Sequence, residues 1–325
     1  MFKNICLIGA GNIGSRHLQG LALVPQALSI QVIDPSAMSL ATAKQRYQEV
    51  DNGLIKHHVV FLYDLNQVVG PIDIAIVATN SDIRSTVAKK LLNQTRVKNI
   101  IFEKILFNKH TQYEEIQKLL DSKQCKAWVD CSMRTDPFYS GLKKQFDGQP
   151  ITYIVHGSLH GLMSNAIHYI DHIAYLSNCY DFTVDTSHLN PKPVSSKRKG
   201  FLELFGILNV FFTDGSLGSF ICYPKGNTPF TIEILSEKTR CLMRVMENKS
   251  YLTTAYSGWK WKIKKTAFLY QSQMTNKIVT SILKSGSFNL PSFAISSKMH
   301  LNFLEPILEF LNSYSKKKFD VYPFT

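Results

Sequence analysis

The 325-residue chain has no run near the ~18 consecutive apolar residues that a membrane-spanning helix requires. Its longest apolar stretches, such as Phe205–Phe212, are only as long as a strand. The N-terminus passes from a short apolar stretch straight into Gly9, with no small-residue cleavage site, so a secretory signal is not expected. The six cysteines (Cys6, Cys125, Cys131, Cys179, Cys222, Cys241) form no CxxC pair, which excludes a zinc ribbon and a disulfide framework. These absences predict a reduced, cytoplasmic protein without a membrane partner. GxSxG is missing, and with it the hydrolase readings. His57-His58 flank a strand, while His156 and His160 straddle Gly157, so no metal site is expected. Acidic residues are the scarce charge, 24 Asp+Glu against 37 Lys+Arg, for a net charge of +13. No helix-turn-helix, zinc-finger or RNP-like signature accompanies that excess, and a nucleic-acid partner is therefore not expected.

What is present is an ordinary globular composition, 45% apolar and 19% charged. Through residue 130, short apolar runs (3–8, 29–33, 59–62, 72–78, 99–102, 127–129) alternate with stretches of helical period (12–23, 36–47, 82–92, 111–120). Nearly continuous apolar strands separated by amphipathic helices imply a parallel sheet covered on both faces. The fold class is α/β: a doubly wound Rossmann domain over residues 1–130, then an α+β domain over 131–325. In the second part, helices at 138–146 and 165–176 flank a strand at 151–156. Asp214-Gly215, Gly226-Asn227 and Ser257-Gly258 punctuate five further strands (207–212, 218–223, 231–235, 242–246, 251–255) with hairpin-turn chemistry. They read as an open antiparallel meander. A last helix at 297–311 is free to pack back on the first domain.

Gly9-Ala10-Gly11-Asn12-Ile13-Gly14 is a GxGxxG placed after a strand and at the start of a helix. Gly9 permits the tight turn, Gly11 lets the backbone approach a pyrophosphate, and Gly14 lets helix and strand pack closely. The amides at the helix start, with Asn12 and Ile13, then face the phosphates. Asp34 ends the second strand, where a carboxylate accepts from the adenosine ribose and repels a 2′-phosphate. Asp34-Pro35-Ser36 carries no neighbouring Arg to rescue such a phosphate. NAD is favoured over NADP. Ligands of doubly wound sheets lie beyond the carboxyl ends of the strands, which adds Ala78-Thr79-Asn80 and Glu103-Lys104 as cofactor contacts.

Gly9–Gly14, Ala78-Thr79-Asn80, Glu103-Lys104 and the segment around His168 together resemble the glucose–fructose oxidoreductase and inositol dehydrogenase (Gfo/Idh/MocA) family. The resemblance spans essentially the whole chain and implies a cofactor domain followed by an α/β domain whose open sheet makes a homo-oligomer contact. It also implies that Lys104 polarises a substrate hydroxyl and His168 takes its proton. Two positions depart from the family pattern. Ile105 stands where Glu-Lys-Pro has its proline, and Ser164 stands where an Asp precedes the His by one helical turn. Arg134, Ser164, Asn165, Asp171 and His172 are the implied substrate contacts. The stretches 165–171 and 290–300 look most like members associated with bacterial surface-polysaccharide genes.

The resemblance thus implies an NAD-dependent dehydrogenase acting on the hydroxyl or keto group of a sugar or nucleotide sugar. Three alternatives share the fold: an epimerase or eliminase using NAD transiently, a C=N or C=C reductase, and a non-catalytic NAD(H)-binding relative. Basic clusters at 192–199, 260–265 and 316–318 all fall in the second domain, which suits an anionic substrate.

Overall fold

A computed structural model describes residues 2–51, 53, 55–146 and 148–325. The chain divides into two compact units, Met1–Asp130 with Leu269–Ala294, and Cys131–Phe268 with Ile295–Thr325.

The first unit opens β1 (Lys3–Ile8), α1 (Asn12–Ala22), β2 (Leu28–Ile33), α2 (Ala37–Gln48), β3 (His58–Leu62) and β4 (Ile72–Val77). It continues with α3 (Ser81–Gln94), β5 (Val97–Phe102), α4 (His110–Ser122) and β6 (Lys126–Val129). The six strands form one sheet in the order β3-β2-β1-β4-β5-β6, and every pair is parallel. Ile74, Ala75, Ile76 and Val77 are all fully buried, as a central strand covered on both faces requires. The strand order reverses between β1 and β4, which opens a crevice at their carboxyl ends. The doubly wound domain read from the sequence is present.

The second unit begins α5 (Pro137–Phe146), β7 (Thr152–Ser158), α6 (Leu162–Ser177) and β8 (Phe182–Asp185). Two short strands, β9 (Val194–Ser195) and β10 (Leu202–Glu203), pair with one another in a separate two-stranded sheet. Then come β11 (Gly206–Phe212), β12 (Leu217–Tyr223), β13 (Thr231–Leu235), β14 (Thr239–Arg244), β15 (Lys249–Thr254) and β16 (Lys262–Lys265). They build an eight-stranded sheet ordered β16-β15-β14-β13-β7-β12-β11-β8. This corrects the simple meander. β7 is inserted between β13 and β12 and runs parallel to β12, so the sheet is mixed although mostly antiparallel. Strand alternation reveals which face is buried, but not which strand lies beside which.

After β16 the chain enters α7 (Gln271–Ser285), which belongs to the first unit, and ends in α8 (Phe293–Tyr314). The sequence reading assigns no element to α7, whose Ser, Thr and Asn content is poor helix-forming material. It is held by packing instead: Met274, Ile278, Val279 and Ile282 join the core of the parallel sheet. The contact with α1 is tight at Gly20, where an added Cβ would lie 2.6 Å from the Thr275 Cβ. No helix among the described residues is long and apolar enough to cross a membrane.

Gly20→Val is therefore expected to overpack the α1–α7 contact and cost about 1–3 kcal/mol. Urea unfolding monitored by far-UV circular dichroism would read this, and an unchanged midpoint would contradict the close approach.

Candidate active site

The cradle is built by backbone. Gly9 has φ = 90°, and a Cβ added to Gly14 would fall 1.8 Å from the Gly9 carbonyl oxygen. No other residue type fits either place. A Cβ on Gly11, by contrast, would meet nothing within 4 Å, so the backbone there fronts open space. Gly11 is also the N-cap of α1 and makes no side-chain capping bond, which leaves the first-turn amides for an external acceptor. These features fit a dinucleotide pyrophosphate.

A cavity of about 430 Å³ lies over this cradle. Gly9, Gly11, Asp34, Ala78, Thr79 and Asn80 line it, as the sequence reading expects; Asn12, Ile13, Gly14, Glu103 and Lys104 are not among its lining residues. Both Asp34 oxygens are anchored by backbone amides, Oδ2 from Ala10 at 2.7 Å and Oδ1 from Ser36 at 2.8 Å. Each oxygen keeps a lone pair for a ribose hydroxyl. Sequence reasoning missed Tyr63 and Asp64, which also line the cavity from the end of β3. The rule that ligands sit beyond strand carboxyl ends could have found them. Asp64 adds a second acid, and no Lys or Arg lines the cavity. A 2′-phosphate would therefore meet the Asp34 carboxylate, with Asp64 beside it paired to Lys90 Nζ at 3.3 Å.

Beyond β5 the structure differs from expectation. Glu103 is only 6% exposed, and its Oε1 accepts from His17 Nε2 at 2.9 Å instead of facing a cofactor. The other imidazole nitrogen, Nδ1, bonds Thr275 Oγ1 at 2.9 Å. Asp130 Oδ2 lies 3.7 Å from His17 Nε2 and accepts from Gln271 Nε2 at 2.7 Å. Burial alone would lower the His17 pKa, but the hydrogen bond and charge of Glu103, with Asp130, outweigh it and raise the value. Burial likewise opposes ionisation of Glu103, yet His17, Lys104 and Arg84 together hold its carboxyl below the usual range. Both shifts favour the imidazolium–carboxylate form of the pair. His17, Glu103 and Asp130 are metal-capable donors within 4.8 Å of one another, and the 2.9 Å bond fills the space between the first two with a proton.

Lys104 follows directly and is half-buried. The Lys104–Ile105 peptide is cis. The buried Arg84 guanidinium donates to the carbonyls of Ile105 and Thr79, and to that of Leu106 at 3.0 Å.

In the second unit, Ser164 and His168 sit one turn apart on α6, both half-buried on one stripe of the helix. Asn165 Nδ2 donates to the His160 carbonyl at 2.6 Å, tying the helix start. Buried Glu203 caps the same end, accepting from the Met163 amide at 2.6 Å. Asp171 continues the stripe, but Arg134 covers it: Nε meets Asp171 Oδ2 at 2.9 Å and Nη2 meets the Asp171 carbonyl at 3.2 Å. Burial pushes the Asp171 carboxyl up to about 7 against the pull of Arg134. His172 is fully enclosed, its Nδ1 3.1 Å from the Tyr153 hydroxyl, and burial drops its pKa to about 3. Asp171 and His172, expected as substrate contacts, are thus interior groups, and Arg134 is committed to Asp171. Ser164, Asn165 and His168 keep accessible surface.

Replacing His17 with Ala would leave Glu103 and Asp130 buried without their cation, at an expected cost of about 3–5 kcal/mol in urea unfolding. The sign of the pH dependence follows from the two shifts. The Glu103 contribution is present above its ordinary 4.5 and lost as pH falls through its depressed value. The His17 contribution is complete below its ordinary 6.5 and lost as pH rises through its raised value. The stability gap between wild type and His17→Ala should be widest near pH ~5.5 and narrower at pH ~9. A constant gap would contradict the charged pair.

A family model described as an oxidoreductase family with an NAD-binding Rossmann fold, Gfo/Idh/MocA, matches residues 3–131. Comparison with curated proteins finds no match. Among solved structures, UDP-N-acetylglucosamine 3-dehydrogenase from Acidithiobacillus ferrooxidans is 10% identical, with a TM-score of 0.73 over 97% of this chain and 100% of that one. An oxidoreductase from Agrobacterium radiobacter, in complex with NAD+, L-tartaric acid and magnesium, is 14% identical, with a TM-score of 0.72 over 94% and 95% of the two chains. A transcriptional regulator from Kluyveromyces lactis is also 14% identical, with a TM-score of 0.68 over 96% and 93%. At these identities the likenesses show a common fold. The stretch that matches the Gfo/Idh/MocA model of NAD-binding Rossmann-fold oxidoreductases, residues 3–131, is the one that carries the glycine cradle and Asp34.

Proposed function

We propose that the protein is an NAD(H)-dependent oxidoreductase acting on a hydroxyl or keto group of a sugar or nucleotide-activated sugar, in surface-glycan biosynthesis. The observation that carries the reading is Asp34, clamped by two amides beside an uncapped helix start and an open glycine backbone. The likeness to a UDP-N-acetylglucosamine 3-dehydrogenase supports the substrate class.

NAD supplies the hydride acceptor or donor when bound. Lys104 supplies a cation to the oxygen that gains charge as its O–H proton is taken, or as hydride adds to the carbonyl in the reverse direction, and a half-buried ammonium stabilises that alkoxide more than a solvated one. Because His17 neutralises Glu103, the carboxylate next to Lys104 is already engaged. His168 takes the hydroxyl proton, since an imidazole titrates near neutral pH. Ser164 and Asn165, beside it at the start of α6, supply polar contacts to the substrate. A second copy of the chain covers the outer face of the eight-stranded sheet, where Phe211, Tyr223 and Ile263 are exposed.

One further observation favours a second reading. Ser164 lacks the carboxylate expected one turn before His168, and a transcriptional regulator shares the fold. That reading is an NAD(H)-binding sensor without turnover.

NADH fluorescence titration should saturate, with NADPH weaker by at least about tenfold. Against a panel of UDP-sugars, Lys104→Ala is expected to lower kcat by about 10²–10³ while NADH affinity stays within about twofold. Full activity of Lys104→Ala would overturn the mechanism. NADH binding with no turnover of any sugar would favour the sensor.

A further inference from the structure

β5 ends at Phe102, so Lys104 sits on irregular backbone, where nothing in the strand ladder fixes the direction of its side chain. The carbonyls that follow belong to Ile105 and Leu106, both fully buried, and buried carbonyls need donors. Arg84, 2% exposed on α3, supplies them. It donates to Ile105 and Leu106, and its other Nη donates to the carbonyl of Thr79, which lines the dinucleotide cavity. One guanidinium therefore ties the turn after Lys104 to the loop that borders the cofactor. A planar fork can serve several fixed carbonyls at once, which a lysine ammonium cannot do with the same rigidity.

The residue before Lys104 is fixed independently. The Glu103 amide donates to the Val77 carbonyl at 3.1 Å, and its carboxylate is held by His17. His17 is itself oriented by Thr275. Lys104 is thus gripped on both sides, by the His17 imidazole acting on Glu103 and the Arg84 guanidinium acting on Ile105 and Leu106. Neither cation touches the dinucleotide cavity, since neither is among its lining residues.

We propose that Arg84 and His17 are positioning residues for Lys104, setting its ammonium relative to the Thr79 side of the dinucleotide cavity. The proposal rests on Lys104 as the substrate-polarising group, but its geometry is testable without turnover. The full-length protein is labelled briefly with acetic anhydride, and the rate at each lysine is read by peptide mass spectrometry. Lys44 and Lys123, both exposed, serve as internal references. Removing one charge-assisted grip should raise the open population of the Lys104 turn, and with it Lys104 acetylation, about tenfold in Arg84→Gln and in His17→Gln. The reference lysines should be unchanged. Arg84→Lys should fall between wild type and Arg84→Gln, a graded rescue that general destabilisation would not give. Where turnover is measurable, the loss should fall on kcat with the KM for NADH retained.

Unchanged Lys104 labelling in Arg84→Gln, with cooperative unfolding and NADH binding preserved, would overturn the proposal. Should Arg84→Gln fail to fold, His17→Gln is judged by the same criterion. Faster Lys104 labelling in a protein whose Lys104→Ala variant keeps full activity would support the positioning and refute the chemistry assigned to Lys104. The two failures are distinguishable.

Discussion

A carboxylate buried at the end of a parallel strand must be neutralised, and much of the first unit is arranged around that requirement at Glu103. Transfer of an unpaired charge from water costs several kcal/mol, roughly what one to a few large core contacts return. His17 meets the need from α1, the same helix whose first turn forms the phosphate cradle. The imidazole in turn needs an acceptor for its second nitrogen, and Thr275 provides it from α7. Gln271, one turn earlier on α7, donates to Asp130 Oδ2. The return of the chain to the first unit after β16 therefore completes a polar cluster as well as a hydrophobic one. Gly20 allows the helices to come close enough for both.

This dependence explains what the sequence could and could not disclose. The cradle was legible because its logic is local: three glycines, a strand before and a helix after, with an acid at the end of the next strand. The parallel sheet was legible because β1, β2, β4 and β5 are apolar runs of the right length. The role of His17 was not, since its partners lie 86 and 258 positions away. Arg84 reads as one more polar residue of a surface helix until the Ile105 and Leu106 carbonyls are placed beside it. β7 pairs with β12 across about sixty residues, and no alternation of side chains encodes that adjacency. α7 carries helical spacing in Met274, Ile278 and Ile282, but weak formers surround it and packing decides.

The second unit shows the same division on a single helix. Spacing correctly puts Ser164, His168 and Asp171 on one stripe of α6, and the inference that all three face a ligand follows from periodicity alone. Arg134 is what periodicity cannot supply. By binding Asp171 through both its carboxylate and its carbonyl, and lying over the Tyr175 ring at 4.9 Å, it turns the lower half of the stripe into interior. A pair so enclosed is weak evidence for net stability, because desolvation offsets most of the attraction. It does fix where the helix stops being accessible, which leaves Ser164, Asn165 and His168 as the polar groups at its upper end.

The excess of positive charge can now be divided by environment. Lys192, Lys197, Lys199, Lys260, Lys262, Lys264, Lys265 and Lys316–Lys318 are all exposed. Their fields are screened within roughly 8 Å at physiological salt, so they can hasten the approach of an anion but add little once it is bound. Lys104 is half-buried, and Arg84 and His17 are almost wholly so. Charges withdrawn from water interact more strongly and cannot relax by solvent reorganisation, and a cation held this way can favour a developing oxyanion over a neutral hydroxyl. On the proposed function, any preference for an acidic sugar would arise on the solvated surface of the second unit, whereas the reacting oxygen would be served by Lys104, which the first unit keeps half-buried.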